Sequence, residues 1–212
     1  MPAPPTRPVL RERWDRRADE LAEAAALFAR RGYDQTTMAD LAAELGIATG
    51  GLYHYVGGKE ALLRRICLEL TEPLLRRARE ALAGLDDPAE RLHVLVRVWV
   101  EHVVEHRDHM LVFQQERHVI ETGERWRAVR RSRKRFEELA DAVLAGLEGD
   151  PRARFADRRI ALSALLGMVN HTAQWYRPRG RLTPAEIAAG YAALLVAAPT
   201  SASATGPSRS TS

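Results

Sequence analysis

Residues 37–56 read TMADLAAELGIATGGLYHYV and have the layout of two short helices joined by a tight turn. The first helix, predicted over 38–45, has one apolar face and ends at Gly46. The second helix, predicted over 49–55, directs Leu52 back toward the same core. This spacing is typical of a helix-turn-helix, whose second helix fits the major groove of DNA. An ordinary helical hairpin has the same pattern, so the spacing alone leaves both interpretations open.

Helical periodicity continues on both sides of this stretch. A helix is predicted upstream over 12–31, and a long one downstream begins at Lys59 and ends near residue 82. The remaining predicted helices cover 89–106, 108–119, 122–148, 153–175 and 184–198. No alternating Val/Ile/Thr run bounded by turns indicates a strand. We therefore predict an all-α fold with a small N-terminal head of three helices and a larger helical body.

The composition limits the classes of protein to which the chain can belong. A length of 212 residues suits one large domain or two small ones, and a hydrophobic content of 46% excludes wholesale disorder. The single cysteine, Cys67, excludes an internal disulfide framework and is predicted to lie in the core. The net charge of +4 permits nucleic-acid binding without requiring it. With no membrane-length apolar run and no secretory signal pattern, we expect a cytoplasmic protein.

The residues in and around 37–56 also resemble those of a known family. The resemblance rests on AAALFARRGYDQTTMADLA at 24–42, Gly46-Ile47, LYHY at 52–55 and KEALL at 59–63. In these residues the chain resembles the N-terminal domain of the TetR family of transcriptional repressors. That resemblance implies a regulator and not an enzyme. It also implies a homodimer whose two heads bind a palindromic operator in double-stranded DNA and which a small effector releases.

The same resemblance assigns DNA-contact roles to matching positions. Tyr53 corresponds to a recognition-helix tyrosine that contacts the DNA backbone and bases, with His54 and Tyr55 beside it. Lys59 corresponds to a lysine that meets a phosphate. Thr37 corresponds to a threonine that caps the second helix and donates to a phosphate. The predicted DNA-contacting residues are Thr36, Thr37, Thr49, Gly50, Tyr53, His54, Tyr55 and Lys59.

The chain departs from the family pattern in the recognition helix. Ala48 stands where a capping serine is frequent, so Thr49 is expected to cap one residue later. Gly50 and Gly51 each weaken a helix by roughly 0.5–1 kcal/mol relative to alanine. Two more glycines, at 57–58, replace bulkier residues before the next helix. We therefore expect a mobile recognition helix that makes few base contacts.

Four segments are predicted along the chain. They are a disordered arm at 1–10, a helix-turn-helix domain at 11–58, a helical ligand-binding and dimerisation domain at 59–198, and a disordered tail at 199–212. Residues 7–17 are rich in arginine and are either a basic arm that reaches a DNA groove or a solvated helix start. The two long helices nearest the C terminus are expected to pair across a two-fold axis as a four-helix interface.

The body contains candidates for an effector site. Residues 167–188 resemble the C-terminal region of a TetR-family branch of acyl-CoA-responsive repressors of fatty-acid and steroid degradation, although His171 stands where that branch usually has tryptophan. This resemblance implies an acyl-CoA effector, whose phosphates suit arginine. The predicted ligand-binding residues are Trp99, Met110, Phe113, Trp126, Met168, His171, Trp175, Arg177 and Arg181. Ordinary core packing also explains each aromatic and methionine residue in this set.

Two alternatives to the acyl-CoA interpretation are open. A repressor that senses a hydrophobic drug-like compound would not need Arg177 and Arg181. A protein of another class, a metal-binding sensor or enzyme, would use His102 and His106, whose i and i+4 spacing lets two imidazoles share an ion. No metal site or cofactor is predicted, because no catalytic metal motif accompanies His102 and His106. Besides residues 7–17, residues 125–135 are also rich in arginine, and they are predicted to be mostly a solvated helix face.

Overall fold

The chain folds almost entirely into helices. A computed structural model describes residues 18–197, so the predicted arm at 1–10, the arginine-rich residues 7–17 and the tail at 199–212 lie outside the described residues. The helices are α1 (Ala18–Arg31), α2 (Met38–Glu44), α3 (Thr49–Val56), α4 (Lys59–Leu82), α5 (Pro88–Glu105), α6 (Arg107–Gln115), α7 (Arg117–Thr122), α8 (Arg127–Ala145), α9 (Arg158–Trp175) and α10 (Pro184–Leu195). The prediction of an all-α fold is confirmed.

Helix boundaries depart from prediction where local hydrogen bonds decide them. The helix predicted over 108–119 is two helices, α6 and α7, that meet at Glu116. The helix predicted from 153 begins at 158, because the Asp157 carboxylate accepts hydrogen bonds from the first backbone N–H groups of α9. The last helix ends at Leu195 because Val196 is extended and pairs with Ala153. Within the described part of the chain, no helix has the length and apolar character to span a membrane.

The head forms one core with the nearest helices of the body. Phe28 of α1, Leu41 of α2 and Leu52 of α3 are fully buried together with the first turns of α4. The same cluster continues into the body through residues of α6, α7, the 3-10 turn before α8, and α8 itself. These residues are Val112, Ile120, Trp126 and Val129. The head therefore does not bury its apolar surface by itself.

A second core fills the body. It packs α5 against α4, α8, α9 and α10, and Trp99 lies at its centre, edge-on to Phe136 with ring centroids 4.7 Å apart. The indole Nε1 of Trp99 donates to Asn170 Oδ1 at 3.1 Å, which satisfies the buried N–H. Helix α4 belongs to both cores. Cys67 is fully buried on α4, where burial raises the pKa of its thiol to about 12, so its predicted core position is confirmed.

Candidate DNA-binding head and effector cavity

Helix α3 presents one face to solvent. Thr49, Gly50, Tyr53 and His54 are exposed on this face, and Tyr53 retains 53% of its accessible surface. Leu52 is fully buried and fixes the opposite side of the helix to the head core. Because residues three and four apart share a helix face, these exposed residues form one surface, and helix-turn-helix proteins present such a surface to the major groove.

The start of α3 lacks the predicted cap. Ala48 is the N-cap residue and makes no side-chain hydrogen bond, while Thr49 already belongs to the helix. The expectation that Thr49 caps α3 is therefore wrong. The other end is determined by glycines, since Gly57 and Gly58 have φ values of 74° and 123°. L-amino acids with a Cβ rarely adopt these angles, so the sharp turn into α4 requires glycine at both positions.

The two adjacent threonines before α2 have different surroundings. Thr37 caps α2, as predicted, because its Oγ1 accepts from Asp40 N at 3.1 Å and donates to Asp40 Oδ2 at 2.6 Å. These hydrogen bonds lower the pKa of the Asp40 carboxyl. Thr36 was also predicted to contact DNA, but its side chain is 1% exposed and donates to Gly32 O at 2.7 Å. It closes the turn after α1 and does not face the α3 surface.

Lys59 joins the head to the first turn of α4. Its Nζ donates to Tyr33 O at 2.8 Å and lies 4.3 Å from the centroid of the Tyr33 ring. A second carbonyl, Asp34 O, is 3.5 Å away. In the free protein the ammonium group is thus held at the head surface, and a phosphate must compete with these carbonyls to bind it.

The body contains a cavity of about 610 Å³ between α6, α8 and α9. Its lining includes the predicted residues Met110, Phe113 and His171. A smaller apolar extension of about 50 Å³ continues inward beneath Met110 and Phe113 to Trp99, Phe136 and Leu74. Asn170 and Arg133 line both parts, so the two spaces are adjacent.

Arg117, Arg133 and Glu137 line the outer part of this cavity. Together with Glu121, which pairs with both arginines, we name them the charged cluster. Arg133 Nη1 donates to Glu121 Oε1 at 2.6 Å, and Arg133 Nε lies 3.2 Å from Glu137 Oε1. Arg117 Nε lies 3.6 Å from the same Glu121 oxygen. The hydrogen bond from Arg133 lowers the pKa of the Glu121 carboxyl, so this carboxylate is charged at neutral pH.

The structure brings together only part of the predicted ligand-binding set. Trp99, Met110, Phe113 and His171 line the cavity. The others lie elsewhere, with Trp126 in the head-side core, Met168 packed against the body core, and Trp175, Arg177 and Arg181 exposed at or after the end of α9. The Arg177 guanidinium donates to the backbone carbonyl of Tyr176 at 3.2 Å.

Sequence reasoning missed the two arginines at the cavity, Arg117 and Arg133. A signal for Arg133 is present, since it lies four residues after buried Val129 and three before buried Phe136. It therefore shares the inward face of α8, unlike its exposed neighbours in the arginine-rich segment 125–135.

Three histidines cluster where α5 meets α6. His102 and His106 stack with ring centroids 4.1 Å apart, and the His109 ring contacts His106 edge-on at 5.5 Å. His102 and His109 are buried, and burial is the main cause that lowers the pKa of each to about 4. Both rings are thus neutral at pH 7.

Comparison with known proteins gives matches over both parts of the chain. Residues 21–66 match the family described as bacterial regulatory proteins, tetR family. Residues 85–198, more than half of the chain, match the tetracyclin repressor-like C-terminal domain. The chain belongs to the TetR family. The predicted resemblance is confirmed, and the protein is a DNA-binding transcriptional regulator and not an enzyme.

Individual TetR-family proteins resemble the chain over most of its length. The HTH-type transcriptional repressor KstR2 of Rhodococcus jostii RHA1 is 30% identical over 182 residues, which cover 85% of this chain and 89% of that protein. The structure of the ketosteroid transcriptional regulator KstR2 of Mycobacterium tuberculosis has a TM-score of 0.77 at 26% identity, covering 85% and 95% of the two chains. AibR, solved with isovaleryl coenzyme A and operator DNA, has a TM-score of 0.74 at 26% identity, covering 88% and 98%. These TetR-family relatives are consistent with the acyl-CoA-responsive branch.

Proposed function

We propose that this protein is a cytoplasmic TetR-type repressor whose homodimer binds a palindromic operator and is released by an acyl-CoA thioester. The observation that carries the effector assignment is the cavity, which combines two arginines at its outer part with an aromatic, apolar inner end. The AibR structure, which contains isovaleryl coenzyme A and operator DNA, supports the same class of effector.

The two ends of the cavity suit the two ends of an acyl-CoA. The guanidinium groups of Arg117 and Arg133 offer paired N–H donors to phosphates. The inner end, beneath Trp99 and Phe136, offers apolar surface to an acyl group. A volume of about 610 Å³ lies within the range of small-molecule sites, roughly 300–1,000 Å³. The inner end of about 50 Å³ is small, so we expect short acyl chains to bind more tightly than long ones.

The charged cluster supports a release mechanism. A phosphate that binds Arg133 competes with Glu121, which lies on α7. Helix α7 also contributes Ile120 to the head-side core, so its displacement changes the packing of the head. Helix α4 spans both cores and transmits the change to Lys59. The effector shifts the population away from the DNA-binding state only if it binds the other state more tightly.

A homodimer is supported by the outer face of α9 and α10. Ile160 on α9 and Leu194 on α10 keep 70% and 60% of their accessible surface, and Trp175 keeps 41%. Exposed apolar side chains on neighbouring helices favour a surface that a partner covers where they form one patch. A second copy of this chain is the partner that a palindromic operator requires.

The test is a titration of the purified protein on an operator fragment selected from genomic DNA. We expect a short-chain acyl-CoA to lower operator affinity, with free CoA and the free fatty acid as controls. The variant Arg133→Gln also breaks the pair with Glu121, so we expect severalfold weaker operator binding without effector. Relative to that baseline, its response to acyl-CoA should be at least roughly tenfold weaker, since a charged hydrogen bond is worth about 1.5–3 kcal/mol. The matched control Arg181→Gln should respond normally. Unchanged operator affinity at saturating acyl-CoA, short-chain and long-chain, would rule out this effector class.

A hydrophobic drug-like effector is the second candidate, and the aromatic inner end of the cavity favours it. Such a compound would bind beneath Trp99 and Phe136 without needing the positive charge of Arg133, which also lines this part of the cavity. The double variant Arg117→Gln/Arg133→Gln separates the two candidates, because it abolishes an acyl-CoA response and leaves the response to an uncharged compound intact.

A further inference from the structure

His102 has a buried ring nitrogen without a hydrogen-bond partner in the described part of the chain. The residue is fully buried on α5, and its Nε2 lies 2.7 Å from Leu70 O of α4, to which it donates. With the proton on Nε2, the other nitrogen, Nδ1, carries a lone pair that no described group contacts by a hydrogen bond. An unpaired buried polar atom is unfavourable and uncommon in native proteins, so it points to a missing partner.

A backbone carbonyl at one ring nitrogen is the support that metal-binding histidines use. Their second ring nitrogen usually donates to a carboxylate or a backbone carbonyl, which fixes the tautomer and orients the lone pair. His106, one turn after His102, has the same kind of support, since its Nδ1 lies 3.1 Å from His102 O. When Nδ1 donates there, Nε2 of His106 is left to bind an ion.

Glu105 supplies an oxygen beside the two rings. One ligand atom from each of His102, Glu105 and His106 lies within 4.8 Å of the others. Ligand bonds to zinc are about 2.0–2.2 Å, so the three atoms must approach further. Glu105 Oε2 lies 4.0 Å from His106 Nδ1, and the two imidazole rings are stacked, so the partly exposed Glu105 and His106 side chains must rotate to bring the carboxylate and Nε2 toward the buried ring. The Glu105 carboxylate is hydrogen-bonded to Arg77, which competes for it.

The space next to these residues is polar and rich in carboxylates. A cavity of about 320 Å³ is lined by Glu105, His106 and His109 together with Asp19, Glu69 and Asp108. Arg107 is the cation in that lining. The cavity has room for a water ligand, and its carboxylates attract a cation. None of these residues belongs to the lining of the effector cavity.

We propose that His102, Glu105 and His106 bind one divalent transition-metal ion of the zinc class. A water molecule or a carboxylate of the adjacent cavity completes the coordination. Asp19 lies on α1 and Glu69 on α4, so the ion binds where the head meets the body. The proposal is independent of the acyl-CoA effector, because it rests on residues outside that cavity.

The test uses the full chain purified without a histidine tag and stripped with a chelator. Zn²⁺ is titrated in competition with a chromophoric chelator, and Co²⁺ absorption reports the coordination. We expect one ion per chain. His106→Gln should weaken Zn²⁺ binding by at least about tenfold. Substitutions of residues that only support a metal ligand already cause losses of this size. Arg77→Gln should strengthen binding, because it frees Glu105.

The matched control is His118→Gln, since His118 is exposed on α7 and distant in sequence from the cluster. It should bind Zn²⁺ as the unchanged protein does. If His106→Gln fails to fold, judged by circular dichroism, the partly exposed Glu105→Gln takes its place. Substoichiometric Zn²⁺ binding, or equal losses in the cluster variant and in His118→Gln, would overturn the proposal.

Discussion

Glu116 lies at a position in the fold that disfavours the charged form of its carboxyl group. It lies at the junction of α6 and α7, and burial, assisted by the charge of Asp34, raises the pKa of its side chain. The folded state therefore penalises the charged form. Below the ordinary glutamate pKa of 4.5 the group becomes neutral in both the folded and the unfolded state, and the penalty is absent. The penalty develops as the pH rises through the folded pKa, so it is fully present at higher pH.

We predict that Glu116→Gln raises the melting temperature at a pH above the folded pKa of Glu116. The difference from the unchanged protein should narrow on acidification and vanish near pH 4, which thermal melts from pH 4 to 8 would measure. Glu138→Gln is the control, because Glu138 is exposed on α8 and should show no such pH-dependent gain. A lower melting temperature for Glu116→Gln throughout this range would contradict the assignment.

Lys59 and Lys134 allow a direct test of the phosphate contact, since they are the two lysines of the chain. We predict that Lys59→Ala weakens operator binding and makes the slope of log K against log salt shallower by roughly 0.9 for each phosphate that the protein no longer neutralises. Binding measured over a range of salt concentrations gives the slope. Lys134→Ala, on an exposed side chain of α8, should leave it unchanged. Equal slopes for both variants would show that Lys59 stays on its carbonyls in the complex.

The N terminus of α3 has no side-chain cap, and one substitution can introduce a capping side chain. Ala48 already has the extended backbone of an N-cap, with φ −69° and ψ 137°. Ala48→Ser should stabilise the protein by about 0.5–2 kcal/mol, because its hydroxyl accepts from a free N–H of the first turn. Thermal or urea unfolding measures the gain. Ala43→Ser, at an exposed position inside α2, should give none, and an equal effect of both serines would reject the cap.

Helix α7 contributes Arg117 to the cavity lining and Ile120 to the head-side core, so the proposed release mechanism makes a prediction about this helix. Glu121→Gln weakens the ion pair with Arg133 and should lower operator affinity severalfold without any effector. Fluorescence anisotropy with labelled operator measures this. The control Glu138→Gln breaks an exposed pair with Lys134 on α8 and should not change affinity. Unchanged affinity in Glu121→Gln would exclude α7 from the mechanism.

Local signals in the sequence predicted those elements whose ends they control. Gly46, the Thr37–Asp40 cap and the glycines at 57–58 determine the helix-turn-helix, and each is visible as a residue type at a fixed spacing. The break at Glu116 was not predictable in this way. No glycine, proline or capping residue interrupts the sequence there, so only the tertiary packing of α6 and α7 against different neighbours ends the first helix.

The residues of the proposed effector cavity were less predictable, because periodicity identifies a buried helix face but not the elements that pack against it. Trp126 and Trp99 are both buried aromatic residues in helical patterns, yet they belong to different cores. Arg133 was grouped with solvated arginines because of its charge, although its position in the helix faces inward. Which buried residues share a cavity depends on how α6, α8 and α9 cross, and the sequence pattern does not contain that information.

At the scale of the whole molecule, the proposed function makes DNA binding depend on dimer formation. We predict that Leu194→Glu yields a monomer with operator affinity lowered at least tenfold, because a charge at the centre of an apolar interface is unfavourable. Sedimentation and gel shift measure the two effects. Leu182→Glu, at an exposed position in the loop before α10, should remain dimeric. A dimeric Leu194→Glu protein would place the interface elsewhere.

The core shared by the head and the body limits how such regulators can be recombined. A chimera that joins a foreign head at residue 58 would pair new side chains with Val112, Ile120 and Trp126, which pack in the same cluster as Phe28. Close-packed interiors tolerate volume changes poorly, so the mismatch would leave holes or overlaps at the graft. Exchanging operator specificity without loss of folding therefore requires transplanting these body residues together with the head. The part that must be exchanged is therefore the whole packing interface between head and body, and not only the sequence segment of the head.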